Sequence, residues 1–452
     1  MSSNHSPTIE HEEDLITALS CGCKPESAWR IGTEHEKISF QHSTLRPAPY
    51  HGEEGIGCLL TRLANETAWK PVVEGDNIIA LTLNGASITL EPGGQFELSG
   101  APLPTLFDTC KEVHDHLALL ENITREIGIG FVGVGFQPKW PREAIDWMPK
   151  KRYKIMRNYM PKVGNQGLDM MLRTATVQAN LDFSDEADMV RKMRISSALQ
   201  PLVTALFAAS PFRDGVPSGL KSTRAGCWLD TDNARTGIPK CVFETTFSFA
   251  SYVEWALDVP MYFVLRDHHY IDCAGASFRD FLQGKLPQLP KELPTIIDWE
   301  NHLSTLFPEV RLKQFLEMRG ADTGASNWIC ALPALWKGLL YDTEAQNQAW
   351  NLIADWSWHE VCTLRRLAPV HAFATPFRGT TLLELCRTMV EIAENGLQRL
   401  APLDATTSEA CFLAPLKDAI NDKKTQADQL LELYYGTWQG NIDPLFTYHR
   451  MQ

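Results

Sequence analysis

The spacing of apolar and polar positions changes repeatedly along this chain, and its strand-like stretches carry most of the information. Residues 174–183 are the clearest. Val177, Ala179, Leu181 and Phe183 share one face, and Thr176, Gln178, Asn180 and Asp182 share the other, the two-residue period of a half-buried strand. Residues 30–40 and 77–83 read as strands as well. Asn84-Gly85 predicts a hairpin turn into a strand over 87–91, since a tight hairpin turn favours residues that tolerate positive φ. Pro92-Gly93-Gly94 breaks that strand, which is expected to resume over 95–99, with the glycines forming a bulge that re-aims Glu91 and Glu97. Further strands are predicted over 128–137, 239–249, 259–272 and 310–318.

Helical spacing appears over 105–127, where Leu106, Cys110, Val113, Leu117, Leu120, Ile123 and Ile127 recur three or four residues apart. Ser184 is the expected N-cap of a helix running to about Ala209. Residues 150–167 read as a basic, aromatic helix followed by a loop, 215–237 as loop-rich, and 287–294 as a proline-rich connection. From 331 onward the pattern is helical, including 381–400 and 416–435. Residues 1–27 form a polar arm running into a helix, and 28–452 are expected to form one domain. Strands separated by long insertions, without a βαβ series, predict an α+β fold: an antiparallel sheet surrounded by helices.

The polar faces of those strands are unusual. Glu34 and Glu36 point the same way as Ile38 and Phe40, so carboxylates share a face with core residues. Glu91, Gln95 and Glu97 make a second acidic row, and Glu317 with Arg319 a third. Two carboxylates ~5 Å apart at an effective dielectric of ~20 repel by roughly 3 kcal/mol. A hard divalent cation, Mg²⁺ or Mn²⁺, is the expected compensation, and such a cluster suits a nucleotide site where metals bridge phosphates to protein. Arg157, Arg173, Arg224, Arg235 and Arg319 are candidates for carboxylate or phosphate binding, each weighed against a structural salt bridge.

Charge and composition narrow the field. A formal charge of −13 over 452 residues argues against nucleic acid as a main partner. No apolar run is long enough to span a membrane. The polar, acidic N-terminus has neither the apolar core of a signal peptide nor the character of a transit sequence, so a cytoplasmic location is the default expectation. The eleven cysteines show no Cys-x-x-Cys spacing, which disfavours structural zinc. Pro92-Gly93-Gly94 is too short for a phosphate loop and lacks its Lys-Ser/Thr. The glycines of Gly130 to Gly135 have the wrong spacing for a dinucleotide fingerprint, and Pro138 and Pro141 intervene where its helix should follow.

Several longer strings resemble one enzyme family: GTEHEK, LEPGGQFELSG, MPKKRYKIMRNYMPKVGNQGLDMMLRTATVQANLDFSDEADM, ALDVPMYF, NHLSTLFPEVRLK, LEMRGAD and CALPALW. They are similar to glutamate–cysteine ligases of the plant and proteobacterial type, from about Arg30 to Pro444. The resemblance implies a glutamine synthetase-like catalytic fold with a cupped antiparallel sheet. It implies ATP-dependent formation of γ-glutamylcysteine, the first step of glutathione synthesis, by way of γ-glutamyl phosphate, with Mg²⁺ or Mn²⁺ as cofactor. Glutamate, cysteine and ATP are the implied partners, with the protein a monomer or weak homodimer. Carried over by motif, the metal ligands are Glu34, Glu36, Glu97, Glu317 and Gln178, with Glu91 in addition. Arg319 would reach the transferred phosphate, alongside Glu97 and Glu36 as catalytic groups. Arg224 would hold the glutamate α-carboxylate, with Arg157, Arg173, Tyr153 and Arg235 as further substrate contacts. Plant members carry regulatory disulfides. Cys110 and Cys330 match one pair, whereas Cys273 matches half of another whose partner position is Gln288. With no transit segment apparent, the resemblance suggests a bacterial, cytoplasmic version with inert thiols. The nearest rival activity is ligation of glutamate to another amine, and a rival of another class is a non-catalytic relative that kept the fold.

Overall fold

A computed structural model describes residues 6–402 and 407–451. Its centre is a nine-stranded antiparallel sheet. Eight strands run in the order Val310–Leu312, Leu316–Asp322, β7 (Thr176–Leu181), β1 (Ile31–Gln41), β5 (Phe96–Ser99), β4 (Ala86–Leu90), β3 (Asn77–Leu83) and β2 (Lys70–Glu74), and β6 (Ile129–Val132) pairs with the far end of β1. β1 is the hub. Its first half lies between β7 and β5, and Ile38 to Gln41 pair with β6. The predicted antiparallel sheet among helices is what forms.

Alternation decides what each face meets. On the reverse face Leu98, Ile88, Val177 and Ala179 are fully buried, a burial contributing about 1.5–3 kcal/mol per large aliphatic side chain. The helix α3 (Leu106–Ile127) covers part of that face with the stripe read from its spacing. Thr105 caps it by accepting the Asp108 N–H, and Gly128 ends it at φ 78°, a left-handed conformation that glycine adopts without penalty. The helix Ser326–Leu340 packs beside it on β1 and β7. The helix α1 (Glu12–Ser20) of the N-terminal arm inserts Leu15 and Leu19 into the main core. Ile38 and Phe40 belong to a separate small core with Val132, Val134 and Phe446.

The structure differs from the sequence expectation at several elements. Residues 239–249 are not a strand: a 3₁₀ turn Lys240–Phe243 leads into the helix Phe249–Asp258, which Ser248 caps. The stretch 310–318 is two antiparallel strands, because the chain reverses where Lys313 N–H meets the Phe315 carbonyl at 2.8 Å. Only Ile129–Val132 of 128–137 is strand; beyond it Gly133 lies against the Gly324 backbone with no room for a Cβ. The strand predicted over 259–272 is a hairpin of Phe263–Arg266 and His269–Asp272. The long helix of 184–209 begins one residue later, as Glu186–Leu206, with Asp185 as its cap. Ser184 instead donates to Asp188, whose carboxylate also takes its backbone N–H.

Cys110 and Cys330 are both buried, and their thiols lie close to each other. That contact, followed by burial, pushes the Cys110 thiol far up. Cys273 is buried and free.

Candidate active site

Register brings the acids together. Glu36 stands opposite Glu97 across β1 and β5, and Thr89 stands opposite Glu97 in turn. On the other side of β1, Glu34 faces Gln178, and one strand further Asn180 faces Glu317. Residues directly opposite in an antiparallel pair project to the same face, so the polar faces read from alternation are one continuous surface. Glu91 arrives from the turn between β4 and β5. Pro92-Gly93-Gly94 is therefore the loop of a hairpin and not a bulge in a continuing strand, since Leu90 pairs with Phe96. Gly94 takes φ 80°, and a Cβ on Gly93 would fall 2.2 Å from the Leu172 carbonyl oxygen. The loop is thus pressed onto the helix α5 (Gly167–Arg173).

A pocket opens on this surface. Glu36, Glu91, Arg224 and Arg319 line it on one side, and Tyr153, Met156 and Phe263 on another. Glu36 Oε2 accepts the Thr176 backbone N–H at 2.9 Å. Burial, then the charges of Glu91 and Glu97, hold the Glu36 carboxyl well above its usual range, against the pull of Arg224 and that N–H. Burial, then Glu34 and Glu91, push Glu97 up to about 8, opposed by the Thr89 hydroxyl at 2.5 Å and by Lys150. Crowded acids with raised pKa values are what a missing positive charge produces. Glu34 faces an adjoining depression with Lys24, Arg30 and Asn180, and its Oε1 accepts from Asn180 Nδ2 at 2.7 Å.

Two of the expected metal ligands are otherwise engaged. Burial alone would raise the Glu317 carboxyl, but Arg311, Lys313 and Arg319 hold it well below its usual range. Arg311 grips both of its oxygens, at 2.7 and 3.0 Å, and Arg319 Nη1 lies 2.8 Å from one of them. The same Nη1 donates to Gln178 Oε1 at 2.7 Å. Glu36, Glu91 and Glu97 thus gather on one part of the surface with Glu34 beside them, while Glu317 and Gln178 are joined to it through Arg319. Among the described residues no three His, Cys, Asp or Glu side chains close into a ready-made metal cage. The donor set is nonetheless all oxygen, without sulfur or imidazole, and suits a hard cation.

The candidate arginines separate cleanly. Arg224 sits on the short helix α7 (Thr223–Trp228), whose cap Ser222 is tied to Asp322 at 2.7 Å. Arg224 is buried at the pocket, and its Nη2 donates to the Arg319 carbonyl at 2.6 Å. Arg319 lines the same pocket. Arg173 and Arg235 do not. Arg173 is buried between Asp169 and Asp214 over the Phe136 ring. Arg235 is buried against Asp232 at 2.6 Å, donates to the Thr305 and Pro260 carbonyls, and lies over Tyr262. Both are tied into the fold away from the pocket, Arg235 through all three of its nitrogens and Arg173 through Nη1 and Nη2, with its Nε unpartnered. Arg157 is exposed and stacks on Trp147, outside the pocket. Tyr153 lines the pocket, with its hydroxyl donating to the Leu90 carbonyl at 2.6 Å.

Sequence reasoning missed Arg152 and Lys150. Arg152, on the helix α4 (Lys151–Tyr159), lines the pocket. Burial pulls its pKa down, but Tyr153 and Glu91 hold it above the ordinary value. Burial and Arg152 bring Lys150 down to about 8, against Glu91 and Glu97, and its Nζ donates to the Leu90 carbonyl at 2.8 Å. Their signal was the basic run Lys150-Lys151-Arg152, which alternation cannot place because it sits on a helix.

Comparison with known proteins agrees. The family model for glutamate-cysteine ligase family 2 matches residues 30–448. A chloroplastic glutamate–cysteine ligase of Brassica juncea is 54% identical over 434 residues, covering 96% of this chain and 83% of that protein. The chloroplastic glutamate–cysteine ligase B of Oryza sativa subsp. japonica is 53% identical over 435 residues, covering 96% and 84%. In fold, the chain is similar to a glutamate–cysteine ligase of Francisella tularensis solved with AMP, with a TM-score of 0.52 at 12% identity over 90% of this chain and 85% of that one. A bifunctional glutathione synthetase of Pasteurella multocida gives a TM-score of 0.52 at 13% identity over 97% and 53%. These two share the fold. The chloroplastic relatives overturn the cytoplasmic expectation, which rested on the polar start of the chain, and a polar start says nothing of compartment. With a family match over residues 30–448 and relatives more than half identical across 96% of its length, this chain belongs to glutamate–cysteine ligase family 2.

Proposed function

We propose that this chain joins the γ-carboxyl of glutamate to the amine of cysteine, with cleavage of ATP to ADP and phosphate. The observation that carries the reading is the pairing of Glu36 and Glu97 across the sheet beside Arg224 and Arg319, in a chain of this family. A γ-carboxylate oxygen attacks the terminal phosphorus of ATP, ADP leaves, and an acyl phosphate forms. The cysteine amine then attacks the acyl carbon and phosphate departs. No enzyme nucleophile is needed, so the protein's work is positioning and electrostatics.

Arg224 holds the glutamate α-carboxylate at the buried end of the pocket. Arg319, anchored by Gln178 and Glu317, presents its guanidinium to the phosphoryl group in flight. The depression holding Lys24, Arg30 and Glu34 adjoins the same acid row and takes the rest of the nucleotide. Glu36, Glu91 and Glu97, with Glu34, are the residues that would hold Mg²⁺ or Mn²⁺, which supplies neutralisation of phosphate charge when bound. The raised pKa values of Glu36 and Glu97 support this assignment, since a nearby cation would return both carboxyls to their ionised form.

The test is phosphate release with glutamate, ATP and Mg²⁺ against a panel of amines, with the product identified by mass spectrometry. Turnover with cysteine to γ-glutamylcysteine is expected. Turnover only with other amines, or none with any, would overturn the reading.

A further inference from the structure

The reverse face of the sheet holds a second cavity that the proposed chemistry does not use. It has about 440 Å³ of open space between α3 and strands β3 to β5, within the roughly 300–1,000 Å³ of small-molecule sites and far more than the ~30 Å³ share of one water. Its walls are apolar: Trp69, Leu98 and Leu103. Its floor is one row of α3, since Asp108, Glu112 and His116 follow each other at four-residue spacing and so share a helix face.

That floor is poorly satisfied. His116 is 5% exposed, and neither ring nitrogen has a hydrogen-bond partner. Glu112 Oε1 accepts the Ala101 N–H at 3.0 Å, while its buried Oε2 accepts from nothing. Buried polar atoms without partners carry the full penalty of their lost hydration, which an arriving donor would remove. The charge balance favours a cation. Asp115 is paired with Lys111 and Asp108 accepts from the Thr105 hydroxyl, which leaves Glu112 as the lining acid without a cationic partner among the described residues, with the buried Lys37 lying beyond the His116 ring.

We propose that this cavity is a binding site for a small organic ammonium carrying an apolar body. The ammonium hydrogens meet the Glu112 carboxylate and a neutral His116 nitrogen, and the apolar body lies against Trp69 and Leu98. The site lies behind the catalytic surface: the His116 ring is edge-on to His35 of β1 at 5.7 Å and stacked on Phe96 of β5 at 6.3 Å.

Isothermal titration of the full chain with 2-phenylethylamine tests this, with 3-phenylpropionate and 2-phenylethanol as anionic and neutral probes of similar size. The amine is expected to bind with a Kd of about 1 mM or tighter, and both controls at least about tenfold more weakly. Glu112→Gln keeps the shape and should weaken the amine by about tenfold. Ala101→Trp, which fills the cavity from its wall, should abolish binding. Circular dichroism of each variant guards against misfolding, and the His116 ring ¹⁵N shifts should move with the amine in the unaltered protein. No saturable heat with the amine, equal affinity for all three probes, or full affinity in Glu112→Gln would each overturn the proposal.

Discussion

Replacing Glu97 by Gln should make the metal-free protein more stable above pH 8, although it removes a group from the active site. Glu97 titrates near 8 in the folded chain, against an ordinary value of 4.5. Between those two pH values the folded state holds a proton that the unfolded state has lost. Stability from this group is therefore full below about 4.5 and falls as pH rises through 8. Each pH unit in that window costs about 1.4 kcal/mol, so the whole window costs about 5 kcal/mol. Glutamine cannot ionise, and its carbonyl can still accept from the Thr89 hydroxyl, so Glu97→Gln removes that cost without opening a cavity. It also relieves Glu36, which Glu97 holds up in turn. Urea unfolding in chelator at pH 5.5, 7 and 8.5 should show the unaltered chain losing stability with pH and the variant losing markedly less. Added Mg²⁺ should narrow the difference at pH 8.5 by stabilising the unaltered chain. Parallel pH profiles for the two proteins, or a variant less stable at pH 8.5, would refute the electrostatic argument.

The other arginine and thiol assignments make shorter claims. Arg319→Ala should lower kcat by orders of magnitude with little change in glutamate KM, because its contact is strongest in the transition state. Arg224→Ala should mainly raise glutamate KM, by about tenfold or more; steady-state kinetics tell the two apart. Arg235→Ala should destabilise by about 3–5 kcal/mol because it strands the buried Asp232, while Arg157→Ala should change melting and activity very little. Ligase activity should vanish in excess chelator and return with Mg²⁺ or Mn²⁺. Mild oxidation should link Cys110 to Cys330 and leave Cys273 free, as peptide mass spectrometry would show, since the first pair is already in contact.

Much of the site was legible because a strand's alternation survives in sequence. Glu34, Glu36, Glu97, Gln178 and Glu317 were all picked from period-two runs, and each lies on the face predicted. What alternation cannot report is what a side chain meets across the fold. The grip of Arg311 on Glu317 is hidden in the sequence because Arg311 belongs to the neighbouring strand of a turn that the sequence presents as one continuous run. Arg173 and Arg235 are held partly by acids close in sequence, Asp169 and Asp232, and the groups that complete their settings, Asp214 and the Pro260 carbonyl, are distant in it. Residues 239–249 failed differently, since short apolar runs cannot be told from helix starts by period alone. The Glu91 loop needed only the recognition that Leu90 and Phe96 are neighbours, which makes the glycines a reversal of direction.

The position of β1 at the hub has a consequence for synthesis. Its neighbours are contributed by residues 96–99 and 176–181, and Arg319 and Glu317 come from the strand beyond β7. A growing chain has emerged past roughly two-thirds of its length before the last of these can pair. Until then β7 keeps an open edge, and the acids on β1 lack both Arg319 and the cation that make their crowding tolerable. Pairings so far apart in sequence close late. The Arg319 side of the catalytic surface therefore joins late, and a chain truncated before Glu317 would be able to form much of the sheet, keeping Arg152 and Arg224 but lacking Arg319.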